Sequence, residues 1–211
     1  MFRFLKLVGA SAIIVGIVCV VLFYYVDRQI AWTVHGLTGS IWSHPSEYVT
    51  RLGTPKLWLA VSLIGFLIAG FGYQLRKYTW QCRALLYFGA TNMLAIIVGS
   101  ALKFLFGRYR PIELFQDNLY GFHFFSTQWT QQSLPSGHAL SIFAAATALS
   151  VLYRRYAPLF FFVAVIVSAS RLALNVHYLS DVVLGAYVGI ISALAMRYAL
   201  YKHKIKTSPR S

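Results

Sequence analysis

Six apolar stretches divide the chain: Leu7 to Val26, Leu57 to Tyr73, Ala84 to Leu102, Ala139 to Tyr153, Leu159 to Leu174 and Val182 to Tyr201. Each reads as a membrane-crossing helix. The fourth and fifth fall short of the roughly 20 residues of a full crossing. Their outer ends are therefore expected below the membrane surface, inside protein, where a site would be placed. No internal repeat, low-complexity tract or long linker interrupts the pattern, so residues 1–211 are expected to form one membrane-embedded domain. The predicted fold class is all-α: a polytopic membrane protein with six transmembrane helices.

The polar connections are unequal. Residues 27–56 carry Trp32, Trp42 and Tyr48 among polar positions, with Gly36, Gly39, Pro45 and Gly53 breaking the segment into pieces. Short interfacial helices are expected there, serving either as an anchoring belt or as a guide for substrate. Small residues gather at Ala144, Ala145, Ala146 and Ala148 in the fourth stretch and at Gly185 and Gly189 in the sixth, which predicts close helix contact.

Composition agrees with the bilayer as solvent: 58% of residues are hydrophobic and 11% charged, with a mean hydropathy of +0.63. These values exclude a soluble domain of this size. The formal charge of +14 sits in short clusters between apolar runs, which argues for topology signals and against a nucleic-acid partner. Alternate connections place 12 of the 19 Lys and Arg residues, and none of the five acids, on the side holding both termini. That side is expected to be cytoplasmic, with the longer loops 27–56 and 103–138 outside. The first stretch has the length of a crossing and no small-x-small cleavage site before Asp27 and Arg28, so it reads as a retained span. Cys19 and Cys82 provide no disulfide framework. Nothing in the sequence sets an oligomeric state.

Three outer-side clusters hold polar residues that a membrane chain has little reason to keep. They are Lys103 with Arg110-Pro111, then Pro135-Ser136-Gly137-His138, then Ser170-Arg171 with His177 and Asp181. Together they resemble the type 2 phosphatidic acid phosphatase superfamily, whose signature is K-x6-R-P, P-S-G-H and S-R-x5-H-x3-D. All three parts are present in order and at full spacing over residues 103 to 181. The six-span layout extends the resemblance to most of the chain.

Ionisable groups near apolar spans are costly and are kept in pairs or at sites. A phosphate dianion needs converging donors, and Lys103, Arg110 and Arg171 supply three cations, two of them able to bind oxygens in a bidentate manner. Ser136 and Gly137 precede a helix start, where unpaired N–H groups favour an anion. The same residues also suit a simple helix cap. His177 and Asp181 stand four apart, on one face if the local backbone is helical. Asp181 can then fix the tautomer of His177 and leave the other ring nitrogen available for attack. The resemblance implies that His177 is the nucleophile, Asp181 its orienting partner, and His138 the general acid and then the base that activates water. No cofactor is implied. Three cations beside the histidines argue against a divalent metal there. His35, His44 and His123 read as solvated or interfacial, and His203 belongs to the basic tail.

The implied activity is metal-independent hydrolysis of a membrane lipid phosphate or diphosphate through a phosphohistidine. Undecaprenyl diphosphate and phosphatidylglycerol phosphate stand first among substrates, with lipid A close behind. A lipid phosphotransferase is the second enzymatic reading. A non-catalytic scaffold or transporter on the same bundle is the third, and it would be expected to have lost His138, Arg171 or His177.

Overall fold

The computed structural model describes residues 2–37, 43–75 and 79–202. In chain order its helices are α1 (Phe2–Tyr25), α2 (Asp27–Gly36), α3 (Ser43–Thr50), α4 (Pro55–Gln74), α5 (Trp80–Phe106), α6 (Pro111–Asp117), α7 (Gly137–Leu152), α8 (Ala157–Ala173) and α9 (Leu179–Lys202). The six expected spans correspond to α1, α4, α5, α7, α8 and α9. Five are long and apolar enough to cross a bilayer, and α7, at 16 residues, is shorter. The protein is an all-α polytopic membrane protein. Helices α2 and α3 are the short pieces expected in the first outer connection, although Gly39 and Trp42 lie outside the described residues.

Each helix is placed by what it can bury. None of the most apolar stretch of α1 is buried, so lipid is its main packing partner. It is tied to α9 by stacking of Phe4 on Tyr198 at 4.9 Å and by the Tyr187 hydroxyl, which donates to Val8 O at 3.1 Å. At the other extreme, α7 is packed on several sides. Its Leu140 and Ala144 meet Ala95 of α5 and Val188 of α9, while Ile142 and Ala146 meet Ala164 and Val167 of α8.

The expected close contact of small residues is found between α7 and α9. A Cβ on Gly185 would come within 2.6 Å of Ser136 O, and one on Gly189 within 2.4 Å of Leu140 O. Either substitution would push α9 away from α7, an overpacking that costs about 1–3 kcal/mol. The register of α9 against the start of α7 therefore depends on hydrogen at both positions.

At the far end of α5, Gly107 takes φ +55° and its N–H closes the helix onto Lys103 O at 3.0 Å, a left-handed cap. The connection from there to α7 folds back on itself. His123 N donates to Gly107 O at 2.8 Å, Arg110 N to Thr130 O at 2.8 Å and Ser133 N to Arg108 O at 3.0 Å. These bonds tie the loop to itself, and Phe125 N donates to Leu105 O of α5 at 3.3 Å, so its polar residues reach the site from fixed backbone.

Candidate active site

The last turns of α5 and α8, the first turns of α7 and α9, and the segment from Thr50 to Pro55 meet at one end of the bundle. Lys103 ends α5, and its Nζ donates to Gln132 O at 2.7 Å. Arg110 donates from Nη2 to the same carbonyl at 3.3 Å, from Nε to Trp129 O at 2.9 Å and from Nη1 to Val176 O at 3.2 Å. Two cations thus share one acceptor, and the ring of Trp129 lies 4.2 Å from the Arg110 guanidinium carbon. Burial pushes the Arg110 guanidinium down to about 10.

Arg171, from the end of α8, donates to Thr50 Oγ1 at 2.7 Å. His138 opens α7 beside Gly53, where a Cβ would meet its own Cβ at 3.1 Å. Gly137 lies against Pro55 and Lys103, with space for a Cβ only at 3.2 Å from Pro55 Cγ. The first outer connection is therefore part of the site wall. Ser136 is buried, and its Oγ has no hydrogen-bond partner among the described residues, as suits a donor kept for an anion.

His177 lies two residues before α9, in a turn. The helical backbone on which its pairing with Asp181 was premised is absent, yet the two side chains still meet. Asp181 is the third residue of α9, and its Oδ2 accepts the backbone N–H of Tyr178 at 2.9 Å, the reach-back of a capping box. This turn brings Asp181 Oδ2 to 3.5 Å from His177 Nδ1. Ser133 closes the remaining gap: its Oγ donates to Asp181 Oδ2 at 2.6 Å and stands 3.3 Å from His177 Nδ1. A chain of imidazole, hydroxyl and carboxylate fixes Nδ1 as the inward nitrogen and leaves Nε2 for a reacting group. His177 is 4% exposed. Burial holds it well below its ordinary value of 6.5, with the Asp181 hydrogen bond acting in the opposite sense.

All eight residues singled out from sequence, His177, His138, Asp181, Lys103, Arg110, Ser136, Gly137 and Arg171, come to this one end. Of the other histidines, His35 stacks on Phe115 at 4.0 Å and His123 is exposed. The side chain of His44 and all of His203 lie outside the described residues. Sequence reasoning passed over Ser133, Thr50, Asp27 and Arg108. The last two are fully buried and paired at 2.8 Å. The available signal was an acid flush with the end of an apolar span and an unexplained outer-side arginine, both costly near hydrocarbon.

Two histidines, one backed by a carboxylate, with three cations and a helix start around them, can bind a phosphoryl group and move it. Residues 84–205 match the PAP2 superfamily. The chain belongs to that superfamily. It is a membrane lipid phosphatase. Among relatives, the Lipid A 1-phosphatase of Rhizobium etli is 30% identical over 77% of this chain and 74% of its own length. The Lipid A 1-phosphatase of Rhizobium johnstonii is 28% identical over 69% and 63%. The crystal structure of Aquifex aeolicus LpxE superposes with a TM-score of 0.59 at 20% identity, over 83% of this phosphatase and 96% of that chain. A PAP2-type phosphatidylglycerolphosphate phosphatase from Bacillus subtilis gives 0.59 at 18% identity, over 98% of both. At those identities the two structures establish the shared fold.

Proposed function

We propose that this phosphatase removes the 1-phosphate of lipid A, with the entire chain acting as one catalytic unit. This reverses the order reached from sequence, where undecaprenyl diphosphate and phosphatidylglycerol phosphate stood first. Support comes from the relatives at about 30% identity, which carry the name Lipid A 1-phosphatase and align with most of this chain.

The single observation that carries the chemistry is the Nδ1 side of His177, occupied by Ser133 and Asp181. Nε2 attacks phosphorus while Lys103, Arg110, Arg171 and the donors at Ser136 and Gly137 take up charge on the phosphoryl oxygens. The bond from phosphorus to the lipid oxygen breaks, and His138 gives its proton to that oxygen. Neutral His138 then accepts a proton from water as the water oxygen attacks phosphohistidine. Orthophosphate leaves and Nε2 is restored. The three cations supply the charge stabilisation that a divalent ion gives elsewhere, so the reaction runs without metal. The basic bias of the opposite bundle end supports cytoplasmic termini and a site at the outer face of the inner membrane.

The test is phosphate release by the purified protein from lipid A, undecaprenyl diphosphate and phosphatidylglycerol phosphate, each with excess chelator. Lipid A is expected to give the highest kcat/KM, undiminished by chelator. Preference for either other lipid would overturn the substrate. Loss on chelation, restored by magnesium or zinc, would overturn the mechanism. Label passing from lipid A to a second lipid instead of water would make the enzyme a phosphotransferase.

A further inference from the structure

On the Asp181 side of His177 lies a second charged chain, and its members come from distant segments. Arg108, 1% exposed, donates from Nη1 to Asp181 Oδ1 at 2.5 Å and to Ser180 Oγ at 2.6 Å. Its Nη2 donates to Asp27 Oδ2 at 2.8 Å and to the Tyr120 hydroxyl at 3.3 Å. Ser180 donates to Asp27 in turn, from its hydroxyl to Oδ2 and from its backbone N–H to Oδ1 at 3.1 Å. The rings of Tyr178 and Phe23 stand 4.3 and 5.1 Å from the guanidinium carbon. Asp27 is the first residue of α2 and lies outside the residues 84–205 that match the superfamily.

We propose that Arg108, backed by Asp27, is a positioning residue for the reaction: it occupies one oxygen of Asp181 and so presents the other to Ser133 and His177. The assignment rests on His177 as the attacking group. The electrostatic consequence follows from charge balance. A buried carboxylate left without a cation is costly, and taking up a proton nearby relieves that cost. The nearest proton acceptor to Asp181 is His177, and a protonated imidazole cannot attack phosphorus. Arg108 removes the need, so Asp181 orients His177 without holding a proton on it. Asp27 balances Arg108 and fixes its guanidinium, so the start of α2 acts on the site through two ion pairs.

The charged and titratable groups facing this pair are few. Asp181, Arg108 and Asp27 stand on the Nδ1 side, with the hydroxyls of Tyr120 and Tyr178 beside them and the Cys19 thiol of α1 against Ser180 O at 3.7 Å. Arg110 and Lys103 act on the imidazole from the other side, with Arg171 next to His138.

The experiment titrates His177 directly, by NMR of protein carrying labelled histidine, and follows the acid limb of kcat/KM in parallel. The full chain is used in detergent, as wild type, Arg108→Gln, Arg108→Lys and Asp27→Asn. Arg108→Gln is expected to raise the His177 titration by about 1 pH unit or more. The acid limb rises with it, a tenfold loss of kcat/KM per unit below the limb. Arg108→Lys keeps the wild-type titration, and Asp27→Asn leaves it at or below the wild-type position. Disruption that merely admitted water would relieve burial and raise His177 in all three variants. An unmoved titration in Arg108→Gln, or a raised one in Asp27→Asn, overturns the proposal. Should Arg108→Gln not remain monodisperse, the Asp27→Asn result decides alone. A titration that rises while the acid limb stays fixed would count against His177 as nucleophile and leave the ion-pair chain standing.

Discussion

The backbone N–H of Ser136 donates to the carbonyl of Asp181 at 2.9 Å, joining the start of α7 to the first turn of α9. One bond therefore fixes the distance between segment 136–138 and the carboxylate behind His177. Gly185, one turn further along α9, permits it by letting Ser136 O approach where a Cβ would stand at 2.6 Å. Helix packing and site geometry are the same constraint here.

Ser133 links His177 to Asp181, so its hydroxyl should matter to kcat more than to KM. Ser133→Ala is expected to lower kcat on the order of 10- to 100-fold, because the imidazole loses its fixed direction. Stability should fall by about 1–3 kcal/mol, the cost of an unsatisfied buried group. Ser133→Thr keeps the hydroxyl and should recover most of the rate. Steady-state kinetics on the three proteins, with thermal melting in the same detergent, checks this.

The buried His177 also makes stability depend on pH. Its folded value lies well below the ordinary 6.5, so the unfolded chain binds the proton first as pH drops. Stability is full above about 6.5 and declines as pH falls from there toward the folded value. Melting temperature measured from pH 8 to pH 5 should decline below about 6.5, and less steeply in His177→Gln. Equal slopes in the two proteins would show that this histidine is not the group responsible.

Orientation is testable by single cysteines at Asp117 and Gln128, both exposed, in protein whose Cys19 and Cys82 are replaced. An impermeant thiol reagent added to intact cells should label both positions. A cysteine in the tail beyond residue 202 should stay unlabelled until the cells are opened. The reverse pattern would place the site on the cytoplasmic face.

Much of this architecture could be read from the sequence because lipid imposes simple demands. Apolar runs in lipid must be helices, and all six were visible as such, including the two short of a full crossing. The small residues of α7 and α9 marked their contact in the same way. At the site, the three motifs marked the eight residues that the structure gathers at one end of the bundle, since charged and small residues stand out beside apolar spans. The supporting residues carry no such mark. Ser133 is one serine among several in a polar loop, and Thr50 lies in a connection whose role remained open. Asp27 meets Arg108 across 81 positions, a pairing made only when the start of α2 meets the connection that follows α5. The turn at His177 was also hidden, because four-residue spacing suits a helix and a capping turn alike.

The central claim is that the phosphoryl group passes through His177. The decisive measurement is acid-labile, base-stable phosphate on the protein after rapid mixing with lipid labelled in its phosphate, compared in wild type, His177→Ala and His138→Ala. Wild type should show a transient label, His138→Ala a label that persists because water is no longer activated, and His177→Ala none, with turnover at background. Label at the wild-type level in His177→Ala would contradict the account, whatever the other variants did.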